Sequence, residues 1–300
     1  MKTKIWVIIA ISLIIIGIII FATVMSIYNW EFTKLSTVKY EKNTYEVDKQ
    51  FNNITINTDT DDIVFVRSED NKCKVECNEP ENAKHYVEVK DGELSIGFMF
   101  NERNWYEYIG ISFGTSKITV YLPEGEYNNL TIKESTGDIL IPKDFEFSNI
   151  DIFCSTGNVE NYASAKGNIK IKASTGSITL SDISCDGDII VNVTTGKTNL
   201  NNIKCKNLFS DGDTGNLYLN NVVAKDKFDF ERSTGDVRFV SCDANDINVE
   251  TDTGSVKGSL LSEKVFITET DTGSINVPKT LSGGKCEIST DTGDIKITIE

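Results

Sequence analysis

A Thr-Gly pair recurs nine times from residue 136 onward, at Thr136-Gly137, Thr156-Gly157, Thr175-Gly176, Thr195-Gly196, Thr214-Gly215, Thr234-Gly235, Thr253-Gly254, Thr272-Gly273 and Thr292-Gly293. Successive glycines stand 19 or 20 residues apart. A unit this short cannot enclose an apolar core of its own, so it must stack on copies of itself.

The residues around each pair fall into columns. Seven before the glycine stand Leu130, Ile150, Ile169, Ile189, Leu208, Phe228, Ile247, Phe266 and Cys286, and five before stand Ile132, Ile152, Ile171, Val191, Ser210, Phe230, Val249, Thr268 and Ile288. Two and four residues after it, apolar side chains again dominate, as in Ile139 and Ile141 or Leu217 and Leu219. A spacing of two within each half is strand alternation. Each unit therefore reads as strand, tight Thr-Gly turn, strand and a looser turn. Glycine supplies positive φ, and the threonine hydroxyl satisfies backbone groups while like residues form a ladder. The expected fold is all-β: a parallel β-solenoid with two main strands per 19–20-residue coil, spaced about 4.8 Å and right-handed by default. Its interior is filled by side chains, with no lumen.

Upstream, Thr58-Asp59-Thr60-Asp61-Asp62-Ile63 aligns with Thr290-Asp291-Thr292-Gly293-Asp294-Ile295, with Asp61 in the glycine position of a degenerate coil. Aspartate tolerates a left-handed backbone. From Val66 to Tyr121 the signature is lost, and either divergent coils or a hairpin excursion turning at Asp91-Gly92 accounts for the alternation there.

At the N-terminus an uncharged run from Ile5 to Tyr28 is long enough to span a bilayer, and without an A-x-A pattern at its exit it reads as an uncleaved anchor, the alternative being a cleaved signal peptide. Lys2 and Lys4 precede it and Glu31 follows, which places the short N-terminus in the cytoplasm and the remainder outside. The expected division is a cytoplasmic end at 1–4, an anchor at 5–28, a juxtamembrane linker at 29–50, an N-terminal β region with the cap at 51–129, and regular repeats at 130–300. A formal charge of −15 argues against nucleic acid as a partner.

An N-terminal anchor, the lead-in Val87-Glu88-Val89-Lys90-Asp91-Gly92-Glu93-Leu94-Ser95-Ile96, the strand ending Val120-Tyr121-Leu122-Pro123-Glu124-Gly125, and serial copies of the Ser135-Thr136-Gly137-Asp138-Ile139 kind occur in that order. In these features the chain resembles the bacterial putative-adhesin family of β-strand-repeat proteins. The resemblance covers about 250 residues, from Phe51 onward. It implies a cell-surface β-helical domain and supplies no catalytic residues.

Asp252, Asp271 and Asp291 stand two before the glycine in three consecutive coils, with Asp213 in the same column and Asp236 and Asp294 just past their turns. Stacked carboxylates repel, so they either face water or share a hard cation such as calcium, the one cofactor for which residues can be named. Trp105, Tyr106 and Tyr108 crowd one short segment with Phe98, Phe100 and Phe113. Such rings either anchor a ligand or close the end of the stack. His85, the single histidine, has no motif context, and none of the seven cysteines lies at zinc-site spacing from it. Cys185 and Cys205, nine past their glycines, are either a bridge between coils or small core residues; Cys73 and Cys77 share one strand face and are too far apart to pair.

The function expected is that of a membrane-anchored, adhesin-like or structural protein without catalysis. Its partners are the membrane, through the helix, and an envelope polymer, carbohydrate or protein. The alternatives are an accessory or sensor of an envelope-stress system and, third, a carbohydrate-active β-helix enzyme. The tip Ile295-Lys296-Ile297-Thr298-Ile299-Glu300 carries no polar cap, from which end-to-end self-association at the C-terminal coil is expected.

Overall fold

The computed structural model describes residues 2–36, 38–99 and 114–300. An α-helix, Lys2–Ile27, opens the chain. Its segment Lys4–Ile27, of mean hydropathy 3.2, is long and apolar enough to cross a membrane. After a short 3-10 turn at Phe32–Leu35, the described chain is β-structure.

The repeats build a β-solenoid of parallel walls. On the first wall Leu130, Ile150, Ile169, Ile189, Leu208, Phe228 and Ile247 pair level with one another. On the second, Ile139, Val159, Ile178, Thr198, Leu217, Val237 and Val256 do the same. All of these side chains are buried, so the interior is packed with like residues in layers. The looser turn of the sequence folds into a third, shorter wall, where Ile203 sits between Ile183 and Val222. The chain enters that wall through Asp182, Asn202, Asn221 and Ser241, whose φ angles of 59°, 51°, 53° and 52° are left-handed. Asn and Asp tolerate this conformation, and here their side chains bond to one another: Asn202 Nδ2 donates to Asp182 Oδ1 at 2.8 Å and Asn221 Nδ2 to Asn202 Oδ1 at 3.0 Å.

The glycine column has a reason beyond φ. A Cβ built on Gly157 would lie 2.0 Å from the carbonyl oxygen of Gly137, and one on Gly176 1.9 Å from that of Gly157. Adjacent backbones touch at this corner, and no side chain fits between them. The next column ties the coils together. Asp138 Oδ1 accepts the Asn158 amide at 2.7 Å, Asn158 Oδ1 the Ser177 amide at 3.0 Å, and Asp236 Oδ1 the Ser255 amide at 2.8 Å.

The described residues of 66–121 form both of the expected alternatives, one divergent level and an antiparallel excursion that covers it. Seven strands make this end: β1 (Tyr40–Val47), β2 (Asn53–Thr58), β3 (Asp61–Arg67), β4 (Cys73–Pro80), β5 (His85–Lys90), β6 (Glu93–Phe98) and β7 (Ser116–Leu122). Strands β2 and β3 are the degenerate coil, stacked under Leu130–Ile132 and Ile139–Leu140. Strands β6 and β7 lie parallel on them as one further level. Beyond that the direction reverses: β5 runs antiparallel to β6, β4 to β7, and β1 to β4. Strand β1 lies within the stretch expected to be linker. It forms because Asn43, Tyr45 and Val47 alternate with exposed Lys42, Thr44 and Glu46, giving it one face to lay on the cap.

At the other end the coils do not stack in sequence order. Strand Gly284–Thr292 pairs with Asp246–Thr253 on one side and Lys264–Thr272 on the other. Likewise Ile295–Ile299 pairs with Val256–Leu260, and Ile295-Lys296 with Ile275-Asn276. The later coil is thus inserted beneath the earlier one. This corrects the expectation of a free edge at Ile295–Glu300: the coil that terminates the stack is Lys264–Asn276. Its core columns show it, for Phe266, Thr268 and Val277 are only half-buried and Ile275 is 45% exposed, whereas Cys286, Ile288, Ile295 and Ile297 are buried.

Candidate functional site

Polar side chains inside a solenoid are expensive unless paired, which makes their distribution informative. Within the cap, Asp61, Glu79 and His85 are all fully buried, with Glu134, Thr58 and Cys77 beside them. They gather at one corner because the chain supplies no Thr-Gly turn there. Asp61 occupies the level below Gly137, the end of β4 brings Glu79, and the start of β5 brings His85. Strand β6 ends at Phe98 and β7 begins at Ser116, so no two-residue turn joins them. Asp61 is not among the residues with positive φ; contrary to the sequence expectation, it contributes a buried carboxylate rather than a left-handed turn.

The imidazole of His85 lies between two carboxylates, with Nδ1 2.5 Å from Glu79 Oε2 and Nε2 3.1 Å from Asp61 Oδ2. Glu79 also accepts the His85 backbone N–H at 2.7 Å, the Asn43 amide at 2.7 Å and the Tyr45 hydroxyl at 3.1 Å. Phe98 covers the ring, with centroids 4.5 Å apart. Burial alone pulls the imidazole toward the neutral form, but its bonds to Asp61, Cys77 and Glu79 outweigh burial and raise its pKa to about 10. Burial pushes the Glu134 carboxyl up to about 7, against hydrogen bonds from the Thr58 hydroxyl and the Asp61 amide. One carboxylate oxygen, Asp61 Oδ1, is buried with no hydrogen-bond partner. Cys77 Sγ, a Glu79 carboxylate oxygen and a His85 ring nitrogen lie within 4.8 Å of one another, a donor set that suits a metal ion.

The sequence-predicted candidates lie elsewhere. Asp252, Asp291 and Asp271 form one exposed column, in that order because of the inserted coil. The nearby Asp236 and Asp294 are committed to the backbone of neighbouring coils: Asp294 Oδ1 accepts from the Ser274 amide at 3.1 Å and from its hydroxyl at 2.8 Å. Trp105, Tyr106 and Tyr108 fall outside the described residues. All seven cysteines are free and buried; Cys185 donates its thiol to the Gly167 carbonyl at 2.8 Å. The nine Thr-Gly threonines pair in register along one corner and are all exposed. The hydroxyls that bond the glycine carbonyls belong instead to the column three before the glycine, as in Thr290 to Gly254 and Thr270 to Gly293, both at 3.0 Å.

Sequence reasoning passed over the buried cluster because Glu79 and His85, six residues apart across a turn, meet Asp61, 24 residues before His85, only through the folding of the cap. One signal was readable: an aspartate in a column otherwise restricted to glycine.

A search of curated proteins finds no match. Among solved structures the chain is similar to one described as a putative lipid binding protein from Parabacteroides distasonis, at 15% identity and TM-score 0.53, covering 86% of this chain and 97% of that one. It is also similar to putative adhesins from Parabacteroides distasonis, at 15% identity, TM-score 0.46 and coverages of 85% and 98%, and from Bacteroides fragilis, at 18%, 0.39 and coverages of 87% and 97%. At these identities the likeness concerns the fold alone. The Toastrack DUF4097 family model matches residues 51–206 and 184–300, and the chain belongs to that family.

Proposed function

We propose that this protein is anchored in a bacterial membrane by Lys4–Ile27, carries its solenoid on the outer side, and acts by binding through its repeated surface rather than by catalysis. The observation that carries the reading is the corner row of threonines. Nine hydroxyls in register, about 4.8 Å apart, face solvent and make no protein hydrogen bond among the described residues. Donors and acceptors at a fixed interval suit a linear polymer with its own repeat, such as an envelope polysaccharide, through many weak contacts acting together. The packed interior leaves the outer walls as the binding surface, and the single histidine is sealed in the cap.

The test is a glycan array probed with the purified protein, followed by replacement of Thr175, Thr195, Thr214 and Thr234 with valine. Binding to a repeating glycan that falls at least tenfold in the quadruple variant, with unchanged melting, supports the reading. A variant that binds as the parent does overturns the role of the row. The end of the stack offers a second contact. Val265 and Ile267 face outward on the open edge of Lys264–Thr272, at 38% and 51% exposure, and an apolar edge pairs readily with another strand. End-to-end self-association is accordingly proposed at this coil.

A further inference from the structure

We propose that the buried corner of the cap is a binding site for a divalent transition metal of the zinc class, held by Cys77, Glu79 and His85, with Asp61 orienting the imidazole through its other nitrogen. Three observations converge on it. The ligand atoms of Cys77, Glu79 and His85 already lie within 4.8 Å of one another. Asp61, fully buried, directs Oδ2 at the imidazole 3.1 Å away and leaves Oδ1 without any partner. A buried carboxylate oxygen with an unused lone pair is costly, and a cation coordinated on the other side of the imidazole offsets that cost electrostatically. The corner is also closed: Phe98 lies over His85 at 4.5 Å, so the site is dry.

The donor set selects the metal class. Sulfur, imidazole nitrogen and carboxylate oxygen together suit zinc and its neighbours, whereas calcium and magnesium favour all-oxygen shells. His85 offers one ring nitrogen, and the other keeps its N–H on a carboxylate, the arrangement that orients metal-bound imidazoles. Charge balances without rearrangement. The imidazolium proton and the Cys77 thiol proton leave as the divalent ion enters, so the net charge of the corner is unchanged. Cys77 and His85 are eight residues apart, on β4 and at the start of β5 on either side of the turn at 81–84.

The experiment uses the full chain in detergent, stripped with chelator and then titrated with Co²⁺ as a spectroscopic probe and with Zn²⁺ for elemental analysis. The expected result is one metal per chain and a thiolate-to-cobalt charge-transfer band. Both are lost in Cys77→Ser, while Cys242→Ser, a buried thiol remote from the cap, keeps them. Asp61→Asn weakens affinity at least about tenfold. Should the cap variants not fold, X-ray absorption on the zinc-loaded parent decides, with one sulfur at about 2.3 Å and the remaining ligands nitrogen or oxygen near 2.0 Å. Sub-stoichiometric metal, a shell with no sulfur or with several, or an undiminished band in a folded Cys77→Ser variant overturns the assignment.

Discussion

The two ends of the solenoid solve the same problem in opposite ways. A stack of coils exposes a cross-section of its core at each end. At the N-terminal end the chain reverses direction, and its outer strand β1 is studded with charge. Lys84 pairs with Glu41 at 2.5 Å and Lys42 with Glu76 at 2.9 Å, which blunts strand addition. At the other end the chain slides its later coil beneath its earlier one and leaves Lys264–Asn276 uncovered, with Ile267, Ile275 and Leu281 in solvent. One end is closed over a buried cluster of carboxylates and imidazole; the other leaves its apolar face open. Among the described residues the first leaves no bare apolar edge, and the second leaves one.

This contrast can be broken from the middle outward. Gly176→Ala places a methyl 1.9 Å from a backbone oxygen of the adjacent coil, and a loss of about 3 kcal/mol or more is expected in urea unfolding because backbone on both sides prevents relief. At the capped end, Glu79→Gln leaves the His85 imidazolium with one anionic partner in place of two, and a cost of about 3 kcal/mol is expected. The same end should respond to pH in chelated protein. His85 has a folded pKa of about 10, against 6.5 for the free side chain, so its contribution is complete below pH 6.5 and lost as pH rises toward 10. Glu134, raised from 4.5 to about 7, adds an earlier decline between those values, which Glu134→Gln removes; melting curves across pH separate the two steps.

Between the ends, the interior also holds a charge. Arg232 is buried and bonded to the Ser210 carbonyl at 3.2 Å and hydroxyl at 2.7 Å, with burial depressing its pKa to about 10. Arg232→Met is expected to be neutral or stabilising by about 1 kcal/mol, since a buried cation without a carboxylate partner gains little. At the open end, Ile267→Lys should change stability by less than about 0.5 kcal/mol while abolishing concentration-dependent association in sedimentation. Association that persists in this variant places the contact elsewhere.

How much of this was legible depended on whether a feature repeats. The four apolar columns and the stacking of like on like follow from alternation around each glycine, and the structure keeps them. The third wall was hidden in the looser turn because its runs are short, although Ile183, Ile203 and Val222 align once the left-handed Asx corner is recognised. Glycine was assigned to its column for φ, whereas contact with the next backbone is the stronger constraint. Coil order was not legible at all: parallel strands with matching columns pair equally well in either sequence. The cap cluster escaped because antiparallel reversal brings together residues that share no column.

The inserted coil also bears on biogenesis. A nascent chain emerges in order, so each repeat up to Leu260 finds its template already laid down. Lys264–Asn276 emerges next, and at that moment the seat it finally occupies does not exist, because Gly284–Ile299 has yet to be made. Either it waits unattached, or it docks on Asp246–Leu260 and must be displaced by its successor. The last rung of this ladder is set by exchange rather than by growth.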